Sequence, residues 1–315
     1  MAYTIGIDVG GTKVLAGVVA EDGTIVEYLR RPTPADDPDE VAKVIAGLVH
    51  ELSCRHEVEA VGVGAAGFVD ETRSALRFAP NLPCWREEPL RQKIGDLTGL
   101  PVVVENDANA TAWGEYRFGA GRGESHMVCV TVGTGIGGGI VLDGRLYRGR
   151  YGMGAEPGHM RVVPDGRPCG CGNRGCWERY ASGTALVADA REAIAADPSR
   201  GARLLELAGG NLDAARGEIV AAAAREGDEV ALEAFGLLAR WLAQGLADLA
   251  AMFDPGCFVI GGGVSHAADL FIDAAREEFA RRIAGRGHRP LAEIRVAELG
   301  PAAGIVGAAD LARLG

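Results

Sequence analysis

The sequence predicts an α/β protein with two domains. Its 315 residues are enough for about two ordinary domains, each with its own hydrophobic core. A pattern of strand, glycine-rich turn, strand and Asp-Gly turn occurs at residues 3–29 and again at residues 127–144. Stretches with helical periodicity follow each copy. We therefore expect two α/β domains, each built on a β-meander, the first spanning residues 1–118 and the second residues 119–301.

The elements of the first half follow from local patterns. Gly10-Gly11 and Asp22-Gly23 separate three apolar runs, which predicts a three-stranded antiparallel meander. Asp37 is placed to cap a helix whose first residue is Pro38. The further elements that we expect are a strand at 58–65, a helix at 87–97, a strand at 102–105 and a helix from about residue 107.

The second half starts like the first and then becomes mostly helical. We expect a strand at 127–132, a glycine loop at 133–139 and a strand at 140–142. Helices are expected over most of residues 181–252. The last elements that we expect are a strand at 258–260, a strand near 294–296 and a final helix from about residue 302.

Composition excludes several classes of function. The 32 basic and 43 acidic side chains give a net charge of −11, and no run of Lys or Arg offers a basic face. A nucleic-acid partner is therefore not expected. The first residues lack the pattern of a secretory signal, and no uninterrupted apolar run reaches the roughly 18–20 residues that span a bilayer. We expect a cytoplasmic protein without a membrane partner.

Two glycine turns at matching positions suggest a phosphate ligand. Residues 133–138 match G-x-G-x-x-G by letter, but a strand follows them, whereas a dinucleotide-binding motif requires a helix. Residues 8–13 lack the spacing of a P-loop. Each turn alone is more typical of a simple hairpin, but the pair favours a nucleotide held by backbone N–H groups. The candidate nucleotide and Mg²⁺ residues are Asp8, Gly10, Gly11, Thr12, Lys13, Gly133, Thr134, Gly135 and Gly137.

A third glycine cluster and one carboxylate follow buried strands. Gly261, Gly262 and Gly263 could admit an adenosine, although a strand-to-helix turn explains them equally well. Asp107 lies at the carboxyl end of a strand, where α/β folds bind ligands, and could accept a proton from a hydroxyl group. A helix N-cap is the simpler interpretation of that aspartate.

Three cysteines and a histidine have the spacing of a metal site. Cys169, Cys171, Cys176 and His159 would supply the four ligands of a closed, structural zinc site. Two acids flank these residues, Glu156 before the histidine and Glu178 after the last cysteine. A rigid metal loop would hold both carboxylates toward the hydroxyls of a sugar, although most such acids are simply solvated at the surface.

Taken together and in this order, these motifs resemble the ROK family (repressors, open reading frames and kinases), and within it the bacterial kinases of glucose. The resemblance covers essentially the whole chain. The motifs that carry it are Asp8–Lys13, Glu105–Asn109, Val132–Gly139, Glu156–His159, Cys169–Cys176 and Glu178.

The resemblance implies an actin-like (ribonuclease H-like) two-domain ATPase fold, with ATP and Mg²⁺ in an interdomain cleft. It implies that Asp107 is the general base for the 6-hydroxyl of glucose or a related hexose. It also implies that residues 302–315 pack on the first domain, and we expect a homo-oligomer. The sugar contacts that it implies are Gly67, Asn81, Asn106, Asp107, Glu156, His159 and Glu178, with His159 also a ligand of Zn²⁺.

Other functions within the resemblance remain open at this point. The sugar could be mannose, N-acetylmannosamine or another hexose, and polyphosphate could replace ATP. A sugar-sensing repressor is the alternative from a different class. Such repressors carry a DNA-binding helix-turn-helix segment before the kinase-like part, whereas here the first predicted strand begins at Tyr3. The presence of Asp107 and Lys13 also favours an enzyme.

Overall fold

The computed structural model describes residues 2–79 and 85–315. In these ranges the strands are β1 Tyr3–Val9, β2 Lys13–Val19, β3 Ile25–Pro32, β4 Val58–Ala65, β5 Phe68–Val69, β6 Leu76–Phe78, β7 Arg86–Glu88, β8 Val102–Asn106, β9 Met127–Val132, β10 Ile136–Leu142, β11 Arg145–Tyr147, β12 Cys257–Gly261 and β13 Glu293–Val296. The α-helices are α1 Pro38–Ser53, α2 Leu90–Thr98, α3 Asp107–Phe118, α4 Glu178–Ala181, α5 Gly183–Ala196, α6 Ala202–Leu207, α7 Gly217–Arg225, α8 Glu229–Phe253, α9 Ile272–Arg282 and α10 Ala303–Leu314.

The described residues divide into two compact units. Unit 1 comprises Met1–Cys129, Gly138–Ala155 and Ala297–Gly315, leaving aside residues 1 and 80–84. Unit 2 comprises Val130–Gly137 and Glu156–Val296. Each unit is therefore built from segments that are distant along the chain, and the last helix belongs to the first unit.

The first five-stranded sheet has the order β3-β2-β1-β4-β8. β1, β2 and β3 pair antiparallel, as expected from the glycine and Asp-Gly turns, so the predicted meander is confirmed. β4 pairs parallel with both β1 and β8. Asp8 lies opposite Gly64 in this register, and Gly64 lies opposite Glu105. The carboxyl ends of β1, β4 and β8 therefore share one edge of the sheet.

The second five-stranded sheet has the order β11-β10-β9-β12-β13. Each meander thus provides three adjacent strands of a sheet, to which two later strands are added on the same side. The repeat predicted from the two copies of the turn pattern is confirmed by this matching strand order. A small antiparallel sheet, β5-β6-β7, accompanies the first one.

Local signals place α1 correctly and α2 only approximately. The Asp37 carboxylate caps α1 by accepting hydrogen bonds from the backbone N of Asp39 and Glu40, and Pro38 is the first helical residue. The helix predicted at 87–97 begins three residues later than expected, at Leu90. Residues 86–88 form β7 instead, because they pair with β6 of the small sheet.

α8 is the one helix in the described ranges that meets the length and apolarity of a membrane span. However, 61% of its most apolar window is buried inside the protein. Core helices of soluble proteins share these properties, and the buried face of α8 carries Phe235, Leu238, Leu242 and Leu246.

α10 packs against β1, β4 and α3 at backbone distance. A Cβ atom at Gly62 of β4 would lie 1.8 Å from the carbonyl oxygen of Ala308, and one at Gly307 would lie 1.8 Å from that of Ala110. Gly6 and Gly114 meet α10 in the same way. Only glycine allows the helix to approach the sheet and α3 so closely.

We expect Gly62→Ala to destabilise the protein by about 3 kcal/mol, because the added methyl group would overlap the backbone of α10. The midpoint of thermal unfolding should fall by about 5–10 °C. Gly47→Ala is the matched control: Gly47 is exposed in the middle of α1, and a Cβ there would meet no atom within 4 Å. That variant should be as stable as the wild type or slightly more so. Equal stability of the two variants would contradict the close packing of α10.

Candidate active site

Asn106 and Asp107 lie where β8 ends and α3 begins. Asn106 is the N-cap of α3, because its Oδ1 accepts a hydrogen bond from the backbone N of Asn109 at 2.9 Å. Its Nδ2 donates to the carbonyl oxygen of Gly67 at 3.1 Å. Asp107 is the first residue of the helix, so the interpretation of Asp107 as the cap is wrong. A capping role therefore does not explain the aspartate at position 107.

Asp8 and Asp107, both in unit 1, have raised pKa values. Burial, followed by the negative charge of Asp107, raises the pKa of Asp8 to about 6, while Lys13 opposes the rise. Burial also raises the pKa of Asp107, against hydrogen bonds from nearby backbone N–H groups. A raised pKa lets a carboxylate accept a proton near neutral pH, as a general base must. Two such carboxylates also form a donor set that suits Mg²⁺, since a cation would offset their charge.

The first glycine turn, Gly10–Thr12, is tight and accessible. The backbone N of Gly10 donates to the carbonyl oxygen of Lys13 at 3.0 Å. Thr33 fixes the turn from the side, because its Oγ1 donates to the carbonyl oxygen of Gly10 at 2.7 Å. Gly11 and Thr12 are exposed. Their backbone N–H groups and the Thr12 hydroxyl can therefore reach a ligand.

The second glycine turn, Gly133–Gly135, is fixed by the N-terminus of α5. The backbone N of Gly183 donates to the carbonyl oxygen of Gly133 at 2.8 Å, and Thr184 Oγ1 donates to that of Thr134 at 2.6 Å. The glycine loop predicted over 133–139 is too long, because β10 already begins at Ile136. Gly137 accordingly lies in a strand and not in the turn.

Gly261, Gly262 and Gly263 form the exit from β12. Gly262 has a φ of 82°, and a Cβ there would lie 2.5 Å from the carbonyl oxygen of Val132. Gly263 begins a 3₁₀ helix, and Ser265 Oγ donates back to the carbonyl oxygen of Gly262 at 2.7 Å. The strand-to-helix turn considered from the sequence is therefore present, and it lies beside β9.

A cavity of about 1090 Å³ opens beside these two glycine segments within unit 2. Gly133, Thr134 and Gly263 line one part of it, and apolar side chains from α5, α7 and α8 line another. Its size and apolar walls fit a nucleoside. The residues of this cavity that sequence reasoning missed include Thr184, Leu186, Val187, Arg191, Arg216, Arg225 and Phe235.

Small residues at the start of α5 were a signal for this cavity that went unused. Ser182 is the N-cap of α5, and Gly183 and Thr184 follow it directly. Small side chains at this start let a ligand approach the positive end of the helix, where phosphates bind. The backbone N of Gly183 and that of Ala185 already donate to Gly133 and Ser182. The contribution of α7 and α8 has no comparable local signal, since their lining residues are ordinary members of helical stripes.

The four predicted zinc ligands lie together in unit 2. Their candidate ligand atoms are all within 4.8 Å of one another. The Sγ atoms of Cys171 and Cys176 are 3.7 Å apart, and Cys169 Sγ is 3.8 Å from His159 Nδ1. A tetrahedral site with Zn–S bonds of about 2.3 Å has ligand–ligand distances of about 3.8 Å. The donor set and its spacing thus fit a zinc ion with no position left for water.

Glu178 connects the cysteine cluster with the second glycine turn. Its Oε1 lies 3.0 Å from Cys169 Sγ. Its Oε2 lies only 2.5 Å from the position that a Cβ of Gly135 would occupy. Burial raises the pKa of the Cys169 thiol, and the contact with Glu178 adds to the rise. Without a cation, the thiol therefore stays protonated and donates to the carboxylate.

The other predicted sugar contacts are distributed over the two units. Gly67 lies beside Asn106, and a Cβ there would be 2.5 Å from the carbonyl oxygen of Phe78. Glu156 precedes the 3₁₀ turn Pro157–His159, and its carbonyl oxygen accepts from the backbone N of His159 at 3.2 Å. Asn81 lies outside the described residues.

Comparisons with known proteins agree on one family. The model of the ROK family matches residues 4–314. The chain is 51% identical over 313 residues to the glucokinase of Streptomyces coelicolor, covering 99% of this chain and 98% of that protein. It is 36% identical over 264 residues to an N-acetylmannosamine kinase of Escherichia coli, covering 83% of each.

A solved structure is also similar over the whole length. The ROK family glucokinase of Streptomyces griseus, crystallised in complex with glucose and AMPPNP, superposes with a TM-score of 0.90 at 52% identity and covers 100% of both chains. The predicted fold class is thereby confirmed, since ROK sugar kinases have the actin-like ATPase fold. With a family match over almost every residue and full-length relatives above 50% identity, this chain belongs to the ROK family.

Proposed function

We propose that this chain transfers the γ-phosphoryl group of ATP to the 6-hydroxyl of glucose. The comparisons bear out the expectation of a glucose kinase, because full-length relatives above 50% identity are glucokinases, one of them bound to glucose and AMPPNP. Identity to the N-acetylmannosamine kinase is lower and covers less of the chain. The observation in this chain that carries the proposal is a carboxylate with a raised pKa, Asp107, directly after the end of β8 and the N-cap of α3.

Asp107 acts as the general base in the proposed reaction. Its carboxylate accepts the proton of the sugar hydroxyl while that oxygen bonds to the γ-phosphorus. The bond between the γ-phosphorus and the bridging oxygen breaks, and ADP leaves with the electron pair. Asn106 holds its carboxamide beside the base through its two hydrogen bonds, to Asn109 and Gly67. Its remaining amide hydrogen and lone pair can contact the sugar.

The phosphate groups of ATP require N–H donors and a cation. The turns Gly10–Thr12 and Gly133–Gly135 offer backbone N–H groups, and Thr12 and Thr134 add hydroxyls. Bound Mg²⁺ supplies charge neutralisation for the phosphate oxygens, and Asp8 would hold it or its water molecules. Lys13 adds a positive charge next to Asp8. These groups stabilise the charge that spreads over the phosphoryl oxygens during transfer.

The cavity in unit 2 favours ATP over polyphosphate as the donor. Polyphosphate has no base or ribose that could contact the apolar walls of this cavity. The apolar walls suit the base and ribose of a nucleotide instead.

We also propose that the Cys169–Cys176 loop binds structural zinc, since its donor set and spacing fit that ion. With His159 Nδ1 toward the metal, the other ring nitrogen can face the sugar, and the loop then holds Glu156 and Glu178 for the same purpose. A cytoplasmic location and a homo-oligomeric state are further parts of the proposal. The cytoplasm is where ATP is abundant, which supports the first of them.

The first test measures formation of the sugar phosphate from glucose, mannose, N-acetylmannosamine and fructose, with ATP or polyphosphate as the donor, and follows ADP release in the reactions with ATP. We expect the highest kcat/KM for glucose with ATP. Product analysis should show the phosphate on the 6-hydroxyl. A higher kcat/KM for N-acetylmannosamine, or efficient turnover with polyphosphate alone, would contradict the proposal.

The second test is Asp107→Asn. The amide keeps the size of the side chain but cannot accept the proton, so kcat should fall by about 10²–10⁴-fold with the glucose affinity largely retained. Calorimetric titration of glucose measures the affinity. Asp273→Asn is the matched control. Asp273 lies in the first turn of α9, as Asp107 lies in the first turn of α3, but it is exposed. Wild-type kcat in Asp107→Asn would show that this carboxylate is not the base.

The third test concerns the metal. Purified protein should contain one zinc ion per chain, and Cys171→Ser should lose it, because Cys171 supplies one of only four ligands. The glucose KM should rise and thermal stability should fall in that variant, since Glu156 and Glu178 lose their rigid support. Cys129→Ser, at a buried cysteine outside the cluster, is a control that should retain the zinc. Protein that lacks zinc without exposure to chelators would overturn the zinc proposal.

A further inference from the structure

A charged cluster around a buried carboxylate lies directly beside the proposed base and has no role in the mechanism above. It consists of Glu105 with Arg73 and Arg148, and we refer to it as the Glu105 cluster. Glu105 is 1% exposed and immediately precedes Asn106. Its Oε2 lies 2.7 Å from Nε of Arg148 and 3.1 Å from Nε of Arg73. All three residues belong to unit 1.

The other oxygen of Glu105 fixes the strand end that carries the base. Glu105 Oε1 accepts from the backbone N of Asn106 at 2.9 Å and from Nδ2 of the buried Asn109 at 3.2 Å. Asn109 is also the residue whose backbone N is capped by Asn106. One carboxylate therefore sets both the direction of the backbone at Asn106 and the first turn of α3. Asp107 lies between these two fixed points.

Arg148 ties that carboxylate to a second segment. Its side chain is 11% exposed, and its two terminal nitrogens donate to the carbonyl oxygens of Glu71 at 3.1 Å and Asp70 at 2.9 Å. The planar guanidinium makes these three contacts at once, which a lysine cannot do. Arg148 follows β11 directly, in the segment that leads along the chain to Glu156.

The segment that receives Arg148 is itself rigid. The buried Asp70 carboxylate accepts from the backbone N of Ser74 and Ala75 and from the hydroxyl of Thr72, at 2.5–2.9 Å. These bonds outweigh the effect of burial and lower the pKa of Asp70 to about 2. Arg73, between Thr72 and Ser74, has a φ of 56°. Its carbonyl oxygen accepts from the backbone N of Val104 at 3.1 Å. The segment is therefore hydrogen-bonded to β8 at Val104, the residue before Glu105.

Stability alone is a poor reason for such a cluster. Burying Glu105 and partly burying the two arginines removes much of their hydration, and an apolar set of similar volume is often at least as stable. What the hydrogen bonds of Glu105 Oε1 and of the terminal nitrogens of Arg148 provide is a defined geometry. We propose that Glu105 and Arg148 are positioning residues for phosphoryl transfer, which hold Asn106 and Asp107 in the orientation that the sugar hydroxyl requires. This inference rests on the proposed function.

The test is Arg148→Gln, assayed with glucose and with ATP as the varied substrates. The glutamine leaves Glu105 without its nearest cation and cannot reproduce the contacts to residues 70 and 71. Small displacements of a positioned group cost up to about 10²-fold in rate. We expect kcat to fall about 10- to 100-fold and the glucose KM to rise, while the ATP KM stays within about twofold of wild type. A role in stability alone would not separate the two substrates in this way.

Two controls make the result specific. Trp113→Phe removes a buried hydrogen bond of 2.8 Å to Asp310 from α3, the helix that also carries Asp107. It should lower thermal stability without changing the ratio of the two KM values. Arg122→Gln removes the exposed ion pair with Glu298 and should leave both stability and kinetics unchanged.

A milder variant covers the case in which Arg148→Gln does not fold. Arg148→Lys retains a cation for Glu105 but loses the double contact to residues 70 and 71, so we expect kcat/KM for glucose to fall at least threefold with the ATP KM unchanged. Kinetics within error of wild type in Arg148→Lys, or within twofold in a folded Arg148→Gln, would overturn the inference. Failure of the wild type to phosphorylate glucose would instead count against the proposed function, so the two failures are distinguishable.

Discussion

The backbone contact between α10 and the first sheet is the constraint on which unit 1 depends. Glycines at Gly6 and Gly62 let the helix lie directly on β1 and β4, and Gly307 and Gly114 let it lie on α3. A Cβ of Gly304 in the same helix would be 3.8 Å from the Asp8 carboxylate. α10 therefore fixes the positions of β1, β4 and α3 relative to one another. Asp8 projects from the end of β1, and Asp107 projects from the start of α3. Packing of small residues thus determines the geometry of charged ones.

Asp8 and Asp107 have raised pKa values, so they lower the stability of the folded protein while they suit its proposed function. Burial and mutual repulsion raise the pKa of Asp8 to about 6, so its ionised form is less stable in the folded protein than in the unfolded chain. This penalty is absent below a pH of about 4 and is fully present above about 6. A structure selected for stability alone would replace both acids. Their retention is typical of a site that binds cations and protons during its reaction cycle.

Sequence reasoning succeeded where the signal was local. Turn residues identified the meander, and an N-cap followed by proline identified α1. Cysteine spacing identified four candidate metal ligands whose ligand atoms lie together. The prediction of a loop at Gly137 was wrong, because a glycine can belong either to a loop or to a strand packed against another backbone. Gly139, in the same strand, lies against Ala112. Sequence reasoning also missed that the partners of Glu105 are Arg73 and Arg148. Those partners are distant along the chain, and no periodicity or motif encodes such pairings.

The discontinuity of unit 1 has a consequence for how the protein is made. α10 follows residues 156–296 in the chain, so all of those residues are synthesised before it. Unit 2 can therefore begin to fold during translation, whereas the first sheet waits with its glycine face uncovered until α10 arrives. Since Asp8 and Asp107 depend on that helix for their positions, a nascent chain has no organised site.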